Sequence, residues 1–112
     1  MHETAIAHSL FNAVSDEAKK HKAKPLHAKI SCGILNAVND EILRFAFEAV
    51  AKGTICEGVT LEIEHKPIQA KCSNCNCVFD VNFTAPNCPH CSSSEFELLP
   101  DAPLLLESME FL

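Results

Sequence analysis

Between Thr4 and about His21, apolar residues recur at Ile6, Leu10, Val14 and Ala18, with Phe11 and Ala13 beside them. This spacing predicts an amphipathic helix. Asp16, Glu17, Lys19 and Lys20 supply its wet side, and Lys24-Pro25 ends the pattern. From Leu26 the period changes to two. Leu26, Ala28, Ile30, Cys32 and Ile34 alternate with His27, Lys29, Ser31 and Gly33, which predicts a half-buried strand. Gly33 marks either a bulge or the close approach of another segment.

Residues 36–39 read as a loop. Asn39 is a good N-cap, and Asp40 and Glu41 fall in the first turn of a second helix, where negative charge is favoured. Ile42, Phe45, Ala46, Ala49 and Val50 form its expected apolar stripe, and Gly53 stands where a C′ glycine belongs. After a turn at Glu57-Gly58, Val59, Leu61 and Ile63 alternate with Thr60, Glu62 and Glu64, predicting a second strand. Composition changes at Pro67: residues 70–97 carry a cysteine cluster and few aliphatic side chains. The tail is apolar again, with Leu104 and Leu106 on one parity and Met109 and Phe111 on the other. A parity switch within one apolar run predicts a strand bulged near Glu107-Ser108. The aliphatic segments on both sides of the cysteine region are expected to share one sheet, with that region inserted in the last connection.

Composition narrows the function. The 112 residues suit one globular unit, or one with a small appendage. A net charge of −6 with scattered Lys and Arg argues against general binding to nucleic acid or anionic membranes, both of which need clustered cations. Thr4 to Ser15 lacks charge but is too short to span a bilayer. No basic segment precedes it and no small-residue cleavage site follows, so a cytoplasmic location with reduced thiols is expected. The seven cysteines (Cys32, Cys56, Cys72, Cys75, Cys77, Cys88 and Cys91) therefore read as metal ligands or buried apolar side chains rather than disulfides.

Cys72-Ser-Asn-Cys75, twelve residues, then Cys88-Pro-His-Cys91 is the strongest motif in the chain. Each C-x-x-C turns two thiolates toward one cation, and two such knuckles complete the tetrahedral S₄ site of structural zinc. Rubredoxin-like iron is the other occupant of such a set. Asn76 and Ser92 stand where glycine often follows a knuckle, and asparagine tolerates the left-handed backbone. Phe79, Val81 and Phe83 read as a short strand between the knuckles. Cys77 could substitute for Cys75 in a shuffled site, and His90 reads as an exposed knuckle residue. Cys32 and Cys56 read as small apolar side chains. With all four positions filled by protein, the ion is a fold staple and not a Lewis acid.

At the amino terminus, Met is expected to stay in place before the large His2. His2 admits two readings: a solvated terminal residue, or an imidazole that closes chelate rings with the terminal amine and the first backbone nitrogens. Deprotonated amide nitrogens favour square-planar Ni(II) or Cu(II) over Zn(II). Zincin chemistry is excluded because position 6 is Ile6, not histidine. His8 lies six residues on, the wrong spacing to share a helical face with His2, and His21, His27 and His65 read as solvated.

Met1-His2-Glu3 opening a helix, Gly53-Thr54 then Glu57-Gly58 before a strand, and the paired C-x-x-C motifs near the carboxyl end resemble the HypA/HybF family of hydrogenase-maturation nickel metallochaperones. The resemblance covers essentially the whole chain. It implies an α+β nickel domain of two helices packed on a three-stranded sheet, with a four-cysteine zinc ribbon inserted before the last strand. The expected division is residues 1–66 plus 101–112 for the nickel domain and 67–100 for the ribbon. The resemblance places Ni(II) cargo on His2 with the backbone nitrogen of Glu3, and structural Zn(II) on Cys72, Cys75, Cys88 and Cys91. It implies nickel delivery to the [NiFe]-hydrogenase large subunit with a HypB-type GTPase, by a monomer or homodimer that is not an enzyme. An acidic nickel contact that some members place before the second helix aligns with Asn39, beside Asp40. A histidine that others place near the zinc domain has no clear match in His65 or His90, and neither is counted as a ligand. Apart from the resemblance, the rival reading is a zinc-ribbon interaction module, for instance in transcription. Residues 67–100 oppose it with only Lys71 against Asp80, Glu95 and Glu97.

Overall fold

The computed structural model describes residues 3–36 and 38–112. Helix α1 (Glu3–His21) leads to strand β1 (Pro25–Gly33), a 3-10 turn (Ile34–Asn36) and helix α2 (Asp40–Ala51). Strands β2 (Thr60–Lys66), β3 (Gln69–Cys72), β4 (Val78–Asp80), β5 (Phe96–Leu98) and β6 (Leu105–Phe111) follow.

Two three-stranded sheets organise these elements: β2-β1-β6 and β4-β3-β5. In the first, β1 runs parallel to β2, with His27 opposite Thr60 and Gly33 opposite Lys66. A parallel pair needs a long crossover, and the segment containing α2 supplies it. On its other edge β1 pairs antiparallel with β6, from the far end of the chain. The helices cover this sheet. Ile6, Leu10 and Val14 from α1 and Leu43 and Phe47 from α2 share one buried cluster with Ala28, Ile30 and Cys32 of β1 and Leu61 of β2. Phe11 and Phe47 bring their rings to 6.5 Å between the two helices. This is the expected α+β arrangement of two helices on three strands.

The bulge in the last strand is where the parity switch predicts it. Lys29 pairs with Ser108 but Ile30 pairs with Leu106, so Glu107 is the extra residue. The bulge lets Leu104, Leu106 and Met109 all pack against the core despite their mixed parity. Glu107 accepts a hydrogen bond from the Ser31 hydroxyl, which gives that buried residue its partner. This bond, followed by the charge of Lys66, holds the Glu107 carboxyl below the usual carboxylate range.

Local signals also behave as expected. Asn39 caps α2 by accepting the Ile42 N–H at 3.0 Å, and Gly53 takes φ +79° just past its end. Gly33 is a close approach. The Asp101 carboxylate lies so near that a Cβ at position 33 would collide with it, and the Gly33 N–H donates to the Ala102 carbonyl at 2.9 Å.

Three expectations are corrected. The buried row of α2 is Leu43, Phe47 and Ala51, while Ile42 and Phe45 are 53% and 74% exposed. Its apolar arc is wider than the row that is buried, so periodicity alone does not choose which part of the arc meets the core. Its rotation is set from outside, by Arg44 Nε donating to the Leu61 carbonyl at 3.1 Å and by Asp40 meeting His65. Leu26 and Ile34 are exposed because the buried stretch of even-numbered positions in β1 runs only from Ala28 to Cys32. The strand between the knuckles is limited to Val78–Asp80: Phe79 is buried, but Phe83 lies 73% exposed beyond the strand.

The face of α2 is directly testable. Leu43→Ala or Phe47→Ala should destabilise by about 2–5 kcal/mol, the usual cost of emptying a core site. Ile42→Ser and Phe45→Ser should stay within about 0.5 kcal/mol of the parent in urea unfolding. The reverse ranking would contradict this orientation of α2.

Candidate metal centre

The second sheet is too small to hold itself together by apolar burial. Its core is Ala70, Cys72, Phe79 and Cys88, with Phe96 edge-on to Phe79 at 5.7 Å. Two of those four buried residues are cysteines of the motif.

Cys72 ends β3, Cys75 follows it in a tight turn, and Cys88 and Cys91 lie on the second knuckle before β5. The ligand atoms of all four lie within 4.8 Å of one another. Cys72 Sγ stands 3.4 Å from Cys91 Sγ, and Cys75 Sγ 3.6 Å from Cys88 Sγ. Four sulfurs each 2.3 Å from a tetrahedral ion would be roughly 3.8 Å apart, so the set fits zinc with minor adjustment. Each knuckle also points backbone donors at sulfur. Asn74 N–H and Cys75 N–H approach Cys72 Sγ at 3.4 and 3.5 Å, and His90 N–H approaches Cys88 Sγ at 3.4 Å. Such donors stabilise thiolate charge. Asn76 and Ser92 take φ +63° and +64° directly after the knuckles, the left-handed turn expected there. That conformation lets their N–H groups bond back to the Cys72 and Cys88 carbonyls.

The Cys91 and Cys75 thiols are pushed in opposite directions. The Asn74 side-chain amide, then the Ser93 backbone, hold the Cys91 thiol down at about 6. The Cys77 backbone lowers Cys75, but burial and its hydrogen bonds to the other three cysteines outweigh that and push it up to about 12. Cys91 is thus ready as thiolate, whereas a cation must displace the proton of Cys75.

Cys77 is not part of the four-sulfur group; its thiol turns to the Val78 carbonyl at 3.6 Å. His90 is exposed and Cys56 is fully buried, as expected. Glu3 begins α1, and its side chain is half-buried. His2 lies outside the described residues.

A second constellation escaped sequence reasoning. His65 is not a freely solvated histidine: its Nε2 meets Asp40 Oδ1 at 2.6 Å and its Nδ1 meets Cys32 Sγ at 3.7 Å. Cys32 is completely buried. Burial pushes its thiol up, and the negative charges of Asp40 and then Asp101 push it the same way. The alternating strand pattern holds a weak signal for this pairing, since it puts Cys32 on the inner face; the partner needs the parallel register.

The family described as hydrogenase/urease nickel incorporation, metallochaperone, hypA matches residues 1–111. The chain belongs to the HypA family. A hydrogenase maturation factor HypA from Desulfitobacterium hafniense (strain DSM 10664 / DCB-2) is 35% identical over 111 residues, covering 98% of this chain and 97% of that protein. The hydrogenase maturation factor HybF of Escherichia coli O157:H7 is 32% identical, with 98% of each chain covered. The solution structure of the Ni metallochaperone HypA from Helicobacter pylori superposes with a TM-score of 0.66 at 26% identity, covering 100% of this chain and 98% of that one. A second HypA solution structure gives 0.73 at the same identity, covering 100% of this chain and 97% of that one. Family and fold agree with the resemblance carried by the sequence motifs. This is a family of nickel metallochaperones, which makes nickel the cargo, and the four-cysteine set of this chain suits structural zinc. Among the described residues no helix is long and apolar enough to cross a membrane.

Zinc–thiolate binding supplies folding free energy on the order of 10 kcal/mol in small zinc domains. Cys88→Ser should therefore release zinc and unfold the segment around β3–β5 while α1 and α2, which pack in a separate core, keep most of the far-UV helical signal. Collapse of that signal together with zinc loss would show that the two cores do not fold independently.

Proposed function

We propose that this chain carries Ni(II) in the cytoplasm and hands it to the [NiFe]-hydrogenase large subunit in concert with a HypB-type GTPase. It acts as a carrier and not as an enzyme. Nickel is held at the amino terminus by the His2 imidazole and nearby backbone nitrogens, including that of Glu3. Residues 1–66 with 101–112 form the nickel-handling unit, and 67–100 form a ribbon stapled by zinc on Cys72, Cys75, Cys88 and Cys91.

The observation that carries this reading is the family match over residues 1–111, which includes the terminal Met-His-Glu. Chemistry supports it as well. The four-thiolate set is closed and suits a resident ion, whereas a nitrogen-rich terminus suits a d⁸ ion that must leave again. The chain has no phosphate-binding glycine loop, so directional transfer draws on a nucleotide-hydrolysing partner. The ribbon's single basic residue, Lys71, gives no support to a nucleic-acid role.

Helix α1 starts at Glu3, and a helix amino terminus carries roughly half a positive charge, which opposes a bound cation. Deprotonated amide nitrogens offset that charge. Protons compete for imidazole and amide alike, so nickel affinity should fall as the pH drops. In equilibrium dialysis of untagged, zinc-loaded protein, His2→Ala should abolish one-to-one nickel binding with zinc content and helicity unchanged. Retention of stoichiometric nickel by that variant would overturn the assignment.

A further inference from the structure

Beyond the zinc cluster, one group of metal-ligating side chains is brought together only by the fold. The parallel register of β1 and β2 sets Cys32 directly beside His65, at the end of the sheet where the chain leaves for the ribbon. Asp40, the first residue of α2, closes on the imidazole from the other side. With the ring N–H on Nε2 donating to Asp40, the Nδ1 lone pair is turned toward the Cys32 sulfur.

The geometry is that of a ligand pair. A tetrahedral ion with ordinary zinc–sulfur and zinc–nitrogen bonds separates the two donors by roughly 3.6 Å; here Sγ and Nδ1 are 3.7 Å apart. A carboxylate on the far nitrogen of a metal-bound histidine is the usual outer support of such a ligand. Negative charge is also in place. Both oxygens of the Asp101 carboxylate, packed on Gly33, are buried and lack a hydrogen-bond partner among the described residues. His65 and Asp40 side chains are 30% and 35% exposed, so the imidazole end of the pair reaches solvent.

We propose that Cys32 Sγ and His65 Nδ1 are two ligands of a second divalent transition-metal site, with Asp40 as the positioning residue for His65. The metal forms bonds to sulfur and nitrogen, and the thiol proton it displaces passes to solvent. Two protein donors leave coordination positions open, so this site exchanges its ion far more readily than the closed thiolate cluster. The S,N pair selects borderline ions such as Ni(II), Co(II) or Zn(II) over Mg(II) or Ca(II). It does not depend on the nickel assignment made for His2.

Cobalt titration of the full-length, zinc-loaded protein tests it. Zinc outcompetes cobalt for the four ribbon thiols, so a new thiolate-to-cobalt charge-transfer absorption at constant zinc content reports a sulfur ligand outside the ribbon. The expected result is saturable absorption in the parent protein, in His2→Ala and in Cys77→Ser. Cys32→Ala should lose it, His65→Gln should weaken binding at least about tenfold, and Asp40→Asn by about 10- to 100-fold, the usual range for an outer-shell carboxylate. Because Cys32 is fully buried, the His65→Gln variant, altered at a partly exposed side chain, stands as the second arm if Cys32→Ala unfolds. Absence of the absorption in the parent protein, or its persistence at full strength in folded Cys32→Ala or His65→Gln, would overturn the proposal.

Discussion

Strand β1 is paired along both edges, and the rest of the molecule is arranged around that double ladder. Its neighbours come from distant parts of the chain, β2 in parallel through the α2 crossover and β6 antiparallel from the carboxyl end. Backbone pairing of this kind satisfies the donors and acceptors of a central strand that is largely buried toward its carboxyl end. It also obliges everything between β2 and β6, including the metal-binding ribbon, to leave and return at one end of the sheet. The close fit of Asp101 and Ala102 against Gly33 is where that return is anchored.

The ribbon meets the opposite physical problem. Its sheet has little aliphatic material to bury, and a segment of that size cannot offset the entropy of ordering its chain by apolar contacts alone. Thiolate–metal bonds replace the missing core. The backbone N–H donors around Cys72 and Cys88 and the left-handed turns at Asn76 and Ser92 prearrange the sulfurs, so closure on zinc needs little movement. A site so closed has no free coordination position and is suited to holding an ion rather than passing it on.

With the proposed terminal nickel site and the proposed second site, metal handling in this chain would divide by donor chemistry. Sulfur in a closed set retains its ion, whereas nitrogen donors at a chain terminus, or a mixed sulfur–nitrogen pair with open positions, allow exchange. Cys32, His65 and Asp40 show how the same β1 ladder that organises the fold juxtaposes such donors. Parallel pairing puts residues 33 positions apart in sequence side by side, and Asp40, the first residue of α2, brings the carboxylate.

The elements and the thiolate cluster were legible in the amino-acid order because their causes are local. The α1 stripe, the alternation of β1 and β2, the Asn39 cap and the Gly53 stop each depend on residues within a few positions. The C-x-x-C knuckles carry their own turn geometry. Even the β6 bulge was visible, as a parity switch around Glu107. Tertiary structure alone decided the rest. The buried row of α2 could not be read from an apolar arc wider than the row itself; contacts from Leu61 and His65 turn Leu43 and Phe47 inward and leave Phe45 in water. His65 looked solvated because its partners, Cys32 and Asp40, belong to two other elements. A polar side chain's role depends on what the register sets beside it, and register is a property of the assembled sheet.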